Sequence, residues 1–170
     1  FLSYPENIAF NLIFFINFFF IISFFNVSLD IIIKSYLIYL FILVLLYYYK
    51  FKTILIFNYY KIFYFLLLFV TSLIIFMEVA NNLVLGWDAQ KFWIYKTLNF
   101  YNGNSIDNLS NVENPWYPYL GSLIWSFFWK FSIIEYEYFG RLFYVFTYVC
   151  SILLLIHNFK LSKYYKTIFF

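Results

Sequence analysis

The sequence predicts an all-α protein whose helices cross a lipid bilayer several times. Of its 170 residues, 65% are hydrophobic and 11% are charged, whereas soluble domains carry about 25% charged residues. It also contains four long apolar segments, and about 20 apolar residues cross the core of a bilayer. We therefore expect a polytopic membrane protein with about four spans and two interfacial helices in one large external loop.

The apolar segments give the spans, and the lysines between them give the orientation. The predicted spans are residues 8–26, 31–49, 62–85 and 139–158. Lysines are concentrated in residues 50–61 and 159–166, and cytoplasmic loops carry an excess of Lys and Arg. These two segments are therefore predicted to be cytoplasmic, and residues 86–138 external.

The first interfacial helix is predicted within "DAQKFWIYKTLNFY", residues 88–101. Its apolar residues recur at helical spacing, with Lys91 and Lys96 among aromatic side chains. This arrangement is typical of a short helix that lies on the membrane surface.

The second interfacial helix is predicted at residues 119–132. Its apolar run of about 15 residues would span roughly 22 Å, less than the bilayer core of about 30 Å. Ser122 and Lys130 share one face, which we expect to meet polar surroundings, while Leu123 and Phe127 point inward. If this helix does not cross the membrane, the last span runs from outside to inside, and the lysines after residue 158 lie on the cytoplasmic side, as the charge rule requires.

The chain divides into an N-terminal hairpin with its cytoplasmic loop, residues 1–60, and a membrane core, residues 61–170. Because the chain begins with Phe1 and ends on "KTIFF", which reads as the start of another apolar segment, we expect a fragment of a longer protein. We expect such a fragment to be inactive alone.

Composition excludes several kinds of function. The lysines form short clusters rather than one basic patch, so the expected partner is the lipid bilayer and not nucleic acid. The chain has one cysteine, Cys150, and one histidine, His157, so no metal ligands are assigned. No phosphate-binding loop or nucleophile elbow is present.

Two acidic residues near the outer end of the third span are candidate site residues. Glu78 lies in the outer part of the span, where it is either functional or simply solvated at headgroup level. Asp88 follows Gly86, which would allow a sharp exit from the span, and Trp87, a candidate interface anchor. Asp88 directly precedes a helix, so it is either an N-cap or a functional carboxylate.

A second charged cluster precedes the last span. Glu137 and Arg141 are four residues apart, in the order that favours a helical ion pair, and Glu135 lies beside them. This cluster is either a structural ion pair or an external site that binds a phosphate.

Three short motifs occur in a fixed order: "GWDAQ", "WYPYLGSLIW" and "EYEYFGRLF". In order and spacing they resemble the N-terminal part of GT-C glycosyltransferases of the protein O-mannosyltransferase and aminoarabinose-transferase-like group. The resemblance covers residues 62–158. The chain departs from the family pattern at Ala89, where a second acid is usual, and at "YPY", where paired prolines are usual.

The resemblance implies an enzyme of the bacterial inner membrane that transfers a sugar from a polyprenyl-phosphate carrier to an acceptor at the outer face. It implies Asp88 as the catalytic base or a metal-associated carboxylate, with Glu78, Tyr117, Glu137 and Arg141 as substrate-binding residues. The sugar, the acceptor and any dependence on a divalent metal stay open. The alternatives are a transporter or lipid-flipping subunit, or an assembly factor without a site.

Overall fold

The computed structural model describes residues 3–51, 59–81, 84–132 and 136–158, and these ranges contain helices, turns and loops but no strand. The α-helices are α1 Tyr4–Ser23, α2 Leu29–Phe51, α3 Tyr59–Asn81, α4 Ile94–Tyr101, α5 Leu120–Phe131 and α6 Leu142–Asn158. A π-helical turn, Ala89–Trp93, leads into α4, and 3-10 turns at Asp107–Asn111 and Glu137–Arg141 precede α5 and α6. The all-helical class is therefore as predicted.

Within the described ranges, three helical segments are long and apolar enough to cross a membrane: Tyr4–Ser23, Leu29–Lys50 and Glu137–His157. The third predicted span corresponds to α3, whose apolar part, Ile62–Glu78, is a shorter segment. Large apolar side chains are exposed along α2, where every residue from Leu40 to Leu46 faces outward. Such a surface fits a hydrocarbon environment rather than water.

Helices α1 and α2 form the predicted hairpin and contribute Phe15, Phe19, Leu29 and Ile32 to the main buried core, which also contains residues of α4, α5 and α6. Asn26 makes the turn with a φ of 52°, a left-handed conformation that Asn tolerates better than most residues. Phe15 and Phe19 of α1 are buried and meet Phe127 of α5 at ring distances of 5.7 and 4.7 Å. The hairpin is thereby packed onto α5.

Helix α3 lies antiparallel against α6. Near the middle of α3, Leu68 packs in a buried cluster with Val149 and Leu153 of α6. Two turns further along α3, the ring of Phe76 lies 6.3 Å from that of Phe139 in the 3-10 turn before α6. The contacts therefore extend over at least two turns of α3.

Helices α4 and α5 are joined by three hydrogen bonds in one constant register. The hydroxyl of Ser122 donates to the carbonyl of Trp93 at 3.1 Å, and that of Ser126 to Thr97 at 2.9 Å. The ammonium of Lys130 donates to the carbonyl of Tyr101 at 3.0 Å. In each bond the donor and the acceptor residue are 29 positions apart. From one bond to the next, both helices advance by four residues, about one turn, so α4 and α5 run parallel.

This register corrects the expected orientation of the polar face of α5. Residues 122–127 are all buried, and Ser122 and Ser126 are at most 2% exposed. The small serine side chains instead let two helices approach closely while satisfying their own hydroxyls. The apolar face, with Leu123 and Phe127, packs inward as expected.

The turn between α1 and α2 lies against the segment between α4 and α5. Asp30 forms an ion pair with Lys130 at 2.7 Å. Asn26 exchanges two hydrogen bonds with Asp107, and the hydroxyls of Ser23 and Tyr119 are 3.0 Å apart. The two segments therefore share one end of the helix bundle.

Candidate functional site

Asp88 lies on the first turn after the segment that leaves α3. Its side chain is exposed, and it makes no hydrogen bond or ion pair with any described residue. Its backbone is helical, with φ −62° and ψ −39°. A carboxylate with these surroundings is accessible to a ligand.

The structure does not support the capping role considered for Asp88. An N-cap residue has a non-helical backbone and accepts a hydrogen bond from a following N–H, whereas Asp88 is itself helical and makes no capping bond. Gly86 also lacks the special conformation that a sharp exit would need, since its φ is not positive. The chain turns here without requiring glycine.

A series of aromatic contacts connects the segment of Asp88 with Tyr117. The ring of Phe92 meets Trp87 edge-on at 5.5 Å and stacks on Tyr117 at 5.1 Å with nearly parallel planes. Tyr117 also meets Trp93 edge-on at 6.0 Å. Two of the proposed site residues, Asp88 and Tyr117, are therefore carried by segments that pack on each other.

Lys96 is a site residue whose position sequence reasoning missed. It was expected on the membrane surface, but its side chain is completely buried. The ammonium donates to the carbonyl of Tyr117 at 2.8 Å and lies 5.8 and 5.7 Å from the ring centres of Trp93 and Tyr117. Burial lowers the pKa of Lys96 below its usual value, because desolvation disfavours the charged form.

The sequence contains a pattern from which the burial of Lys96 could have been predicted. Phe92, Lys96 and Phe100 are four residues apart, so they share one helical face. Phe100 is also buried. A lysine between two aromatic residues on one face therefore pointed toward packing rather than toward the headgroups.

Glu137 and Arg141 form the ion pair that their spacing predicted. Two bonds join them, from Nε at 2.7 Å and from Nη2 at 2.5 Å. The guanidinium lies 5.1 Å from the ring centre of Trp125, and the Trp125 indole donates to the carbonyl of Glu137 at 3.1 Å. Because the pair is bidentate and mostly buried, it orients the start of α6 against α5.

The ion pair uses two of the three guanidinium nitrogens of Arg141. Its Nη1 atom is buried and has no hydrogen-bond partner in the described part of the chain. A buried donor without a partner carries a free-energy penalty. Because the atom is enclosed by the protein, a ligand can reach it only if neighbouring side chains move.

An inner cavity of about 360 Å³ lies between the two groups of residues. Its wall is formed by Trp93, Pro118, Gly121, Ser122, Trp125 and Tyr144. Trp93 and Pro118 adjoin the aromatic series described above, and Trp125 adjoins Arg141. The cavity thus adjoins both segments, although Asp88, Tyr117, Glu137 and Arg141 do not line it.

The remaining candidates do not line this cavity or lie outside what is described. Glu78 is near the end of α3 with an exposed side chain. Glu135 is outside the described residues. His157 is exposed near the end of α6. Among the described residues, no three His, Cys, Asp or Glu side chains form a group that could hold a metal ion.

The described residues thus define an all-helical protein with three helices that could cross a membrane. No family model, curated protein or solved structure matches the chain.

Proposed function

We propose that this chain forms the outer-face part of a membrane glycosyltransferase. The enzyme transfers a sugar from a polyprenyl-phosphate carrier to an acceptor, with Asp88 as general base. The observation that carries the proposal is the unpartnered, exposed carboxylate of Asp88 on a segment packed against the wall of an aromatic cavity. An acceptor hydroxyl is a poor nucleophile, and a carboxylate can take its proton as the sugar is attacked.

The other carboxylates near this end of the bundle support the choice of Asp88. Asp30 is paired with Lys130, Asp107 with Asn26, and Glu137 with Arg141. A base must be unpaired to accept a proton at the start of the reaction. Asp88 meets this requirement, as does the exposed Glu113; the resemblance of "GWDAQ" to the family motif favours Asp88.

The other roles follow from the same geometry. Arg141 binds the carrier phosphate through Nη1, while Glu137 holds its guanidinium in place. Tyr117 binds substrate beside the aromatic series that leads to the segment of Asp88, and the substrate-binding role of Glu78 rests on the resemblance.

The membrane arrangement belongs to the same proposal. Four helices, α1, α2, α3 and α6, cross the bacterial inner membrane, since α3 packs antiparallel against the candidate span Glu137–His157. Residues 86–138 face outward. The contacts of the α1–α2 turn with this segment support one shared side for both.

The test is transfer by the full-length protein in membranes supplied with polyprenyl-phosphate donors that carry radiolabelled hexoses or pentoses. We expect Asp88→Asn to lower transfer by about a hundredfold or more, since the proton acceptor is removed. Because Asp88 makes no capping bond, protein yield and unfolding temperature should stay close to wild type.

Glu113→Gln is the matched control. Glu113 is another exposed carboxylate in the external segment, and its neutralisation should leave transfer unchanged. Normal transfer by Asp88→Asn would remove Asp88 from the mechanism. A wild-type protein that transfers none of these sugars but moves lipid-linked substrates across vesicles would favour the transporter alternative.

A further inference from the structure

A second cavity, distinct from the inner one, lies in the segment between α4 and α5. It measures about 510 Å³ and is lined chiefly by Asp107, Ser110, Pro115, Trp116, Tyr117 and Tyr119. This loop cavity is of the size in which proteins bind small ligands, about 300–1,000 Å³.

The wall of the loop cavity is fixed by contacts on both sides. Asp107 is held by two hydrogen bonds with Asn26, and Tyr119 by the hydroxyl contact with Ser23. Between them, the buried Lys96 holds the carbonyl of Tyr117. A site whose walls are held in this way requires little ordering when a ligand binds.

The lining combines exposed aromatic faces with a few polar groups. Trp116 is 78% exposed and Tyr117 is 40% exposed, although burying aromatic side chains of this size would stabilise the folded protein. Asp107 has a carboxylate oxygen beyond the one that accepts from Asn26. Ser110 places an exposed hydroxyl beside it, because that hydroxyl donates to the Asp107 carbonyl at 2.9 Å.

We propose that the loop cavity binds the pyranose ring of a saccharide. The apolar C–H face of a sugar ring packs on an aromatic plane, here Trp116 or Tyr117. Its hydroxyl groups then donate to the Asp107 carboxylate and to the Ser110 hydroxyl oxygen, whose own proton is donated to the Asp107 carbonyl. The cavity provides both kinds of contact side by side.

Trp116 and Tyr117 both line the loop cavity. Of the two, only the position of Trp116 is not explained by another contact within the described residues. Tyr117 is already stacked on Phe92. Trp116 has no aromatic partner among the described residues, and most of its surface faces out of the protein. The competing explanation is an interfacial anchor in the headgroup region, which the experiment below separates from sugar binding.

The proposal is independent of Asp88, since it concerns binding and not transfer. The experiment uses the full-length protein in lipid nanodiscs. Its probes are methyl α-mannoside, maltose, lactose and chitobiose, titrated calorimetrically at millimolar concentrations, and the same sugars attached to a short lipid in the nanodisc. The two sets distinguish a soluble saccharide from a glycolipid headgroup.

We expect at least one probe to bind the wild-type protein. Trp116→Ala should weaken its binding by about five- to tenfold, as the loss of one ring contact implies, and Trp116→Phe should restore part of it. Tyr95→Ala is the control, because Tyr95 is 52% exposed and lies on α4 outside the loop cavity. It should bind like wild type, and all three variants should keep the wild-type unfolding temperature.

Three results would overturn the proposal: no probe binds the wild-type protein, Trp116→Ala binds as well as wild type, or Tyr95→Ala weakens binding equally. If Trp116→Ala alters only the quenching depth of the loop in the bilayer, Trp116 is a membrane anchor. None of these results depends on whether Asp88→Asn retains transfer.

Discussion

Lys96 has a charged side chain but lies in a completely buried environment. It is a buried cation whose contacts are a carbonyl and two aromatic rings, and no described carboxylate is paired with it. Aromatic faces and a carbonyl compensate a charge only in part. Its ammonium therefore opposes folding electrostatically while it holds Tyr117 in place.

The pH dependence of stability follows from the lowered pKa of Lys96. The folded protein releases this proton more readily than the unfolded chain, whose lysine keeps a pKa near 10.5. In the pH interval just below that value the unfolded chain carries more protons, so the free energy of unfolding rises with pH there. The variant Lys96→Met lacks this contribution.

We therefore expect the unfolding temperature of the wild-type protein, relative to that of Lys96→Met, to increase with pH in the interval just below pH 10.5. Thermal unfolding in detergent micelles measures it. The difference between the two proteins matters because tyrosines and other lysines also titrate in this range. A difference that is constant or falls with pH would contradict the assignment.

At the scale of elements, the joint between α5 and the 3-10 turn Glu137–Arg141 depends on one glycine. A Cβ atom on Gly140 would lie 2.3 Å from Cδ1 and 2.4 Å from the carbonyl oxygen of Trp125. These distances are far below a van der Waals contact, and one of the atoms is backbone. The joint therefore cannot accept even alanine without moving.

We expect Gly140→Ala to lower the free energy of unfolding by about 1–3 kcal/mol, the usual range for overpacking. Chemical denaturation in mild detergent measures it. Gly86→Ala is the control: a Cβ there meets nothing within 4 Å and its φ is not positive, so stability should be unchanged. A tolerated Gly140→Ala would mean that α5 and the turn are not in close contact.

The sequence predicted where the helices occur better than it predicted which helices pack against one another. The hairpin of α1 and α2 followed from apolar length, and the Glu137–Arg141 pair from spacing. The burial of Ser122 and Ser126 did not follow, because periodicity shows that a helix has two faces but not which face meets protein. In a bilayer the apolar face can meet lipid or core equally well, so small polar residues can mark the contact between helices.

The candidate site was predictable only in part for a related reason. Asp88 and Arg141 were chosen as charges near the ends of apolar segments. Their connection through Phe92, Trp93 and Trp125 depends on how separate helices pack, and no local pattern encodes it. The prediction of two domains, residues 1–60 and 61–170, stays a prediction, although α1 packs extensively on α5 and α6.

At the scale of the whole molecule, the contacts fix which segments share a side. Ion pairing of Asp30 with Lys130 places the α1–α2 turn beside the predicted external segment. Tyr4 of α1 meets Tyr64 of α3 at 5.1 Å near the opposite end of the bundle. A membrane around the bundle would therefore separate these two groups of contacts.

We expect cysteines at Ser105 and Phe25 to react with an impermeant maleimide in intact cells, and one at Lys50 to react only after permeabilisation. Phe25 is 72% exposed at the α1–α2 turn, and Ser105 lies in the external segment. The background is Cys150→Ser, since Cys150 is the one native cysteine. Labelling of Phe25→Cys and Ser105→Cys from different sides would disprove this arrangement.

The three hydrogen bonds between α4 and α5 restrict how these helices can move. Each donor on α5 and each acceptor on α4 is repeated after four residues, a rise of about 6 Å. A smaller slide would break all three interhelical bonds, leaving Ser126 its bond to the carbonyl of Ser122 and Lys130 its ion pair with Asp30. A slide of one whole step would restore the serine bonds but draw Lys130 away from Asp30. The two helices therefore have discrete relative positions, and the wall that Trp93 and Ser122 share keeps its shape or changes by a complete step.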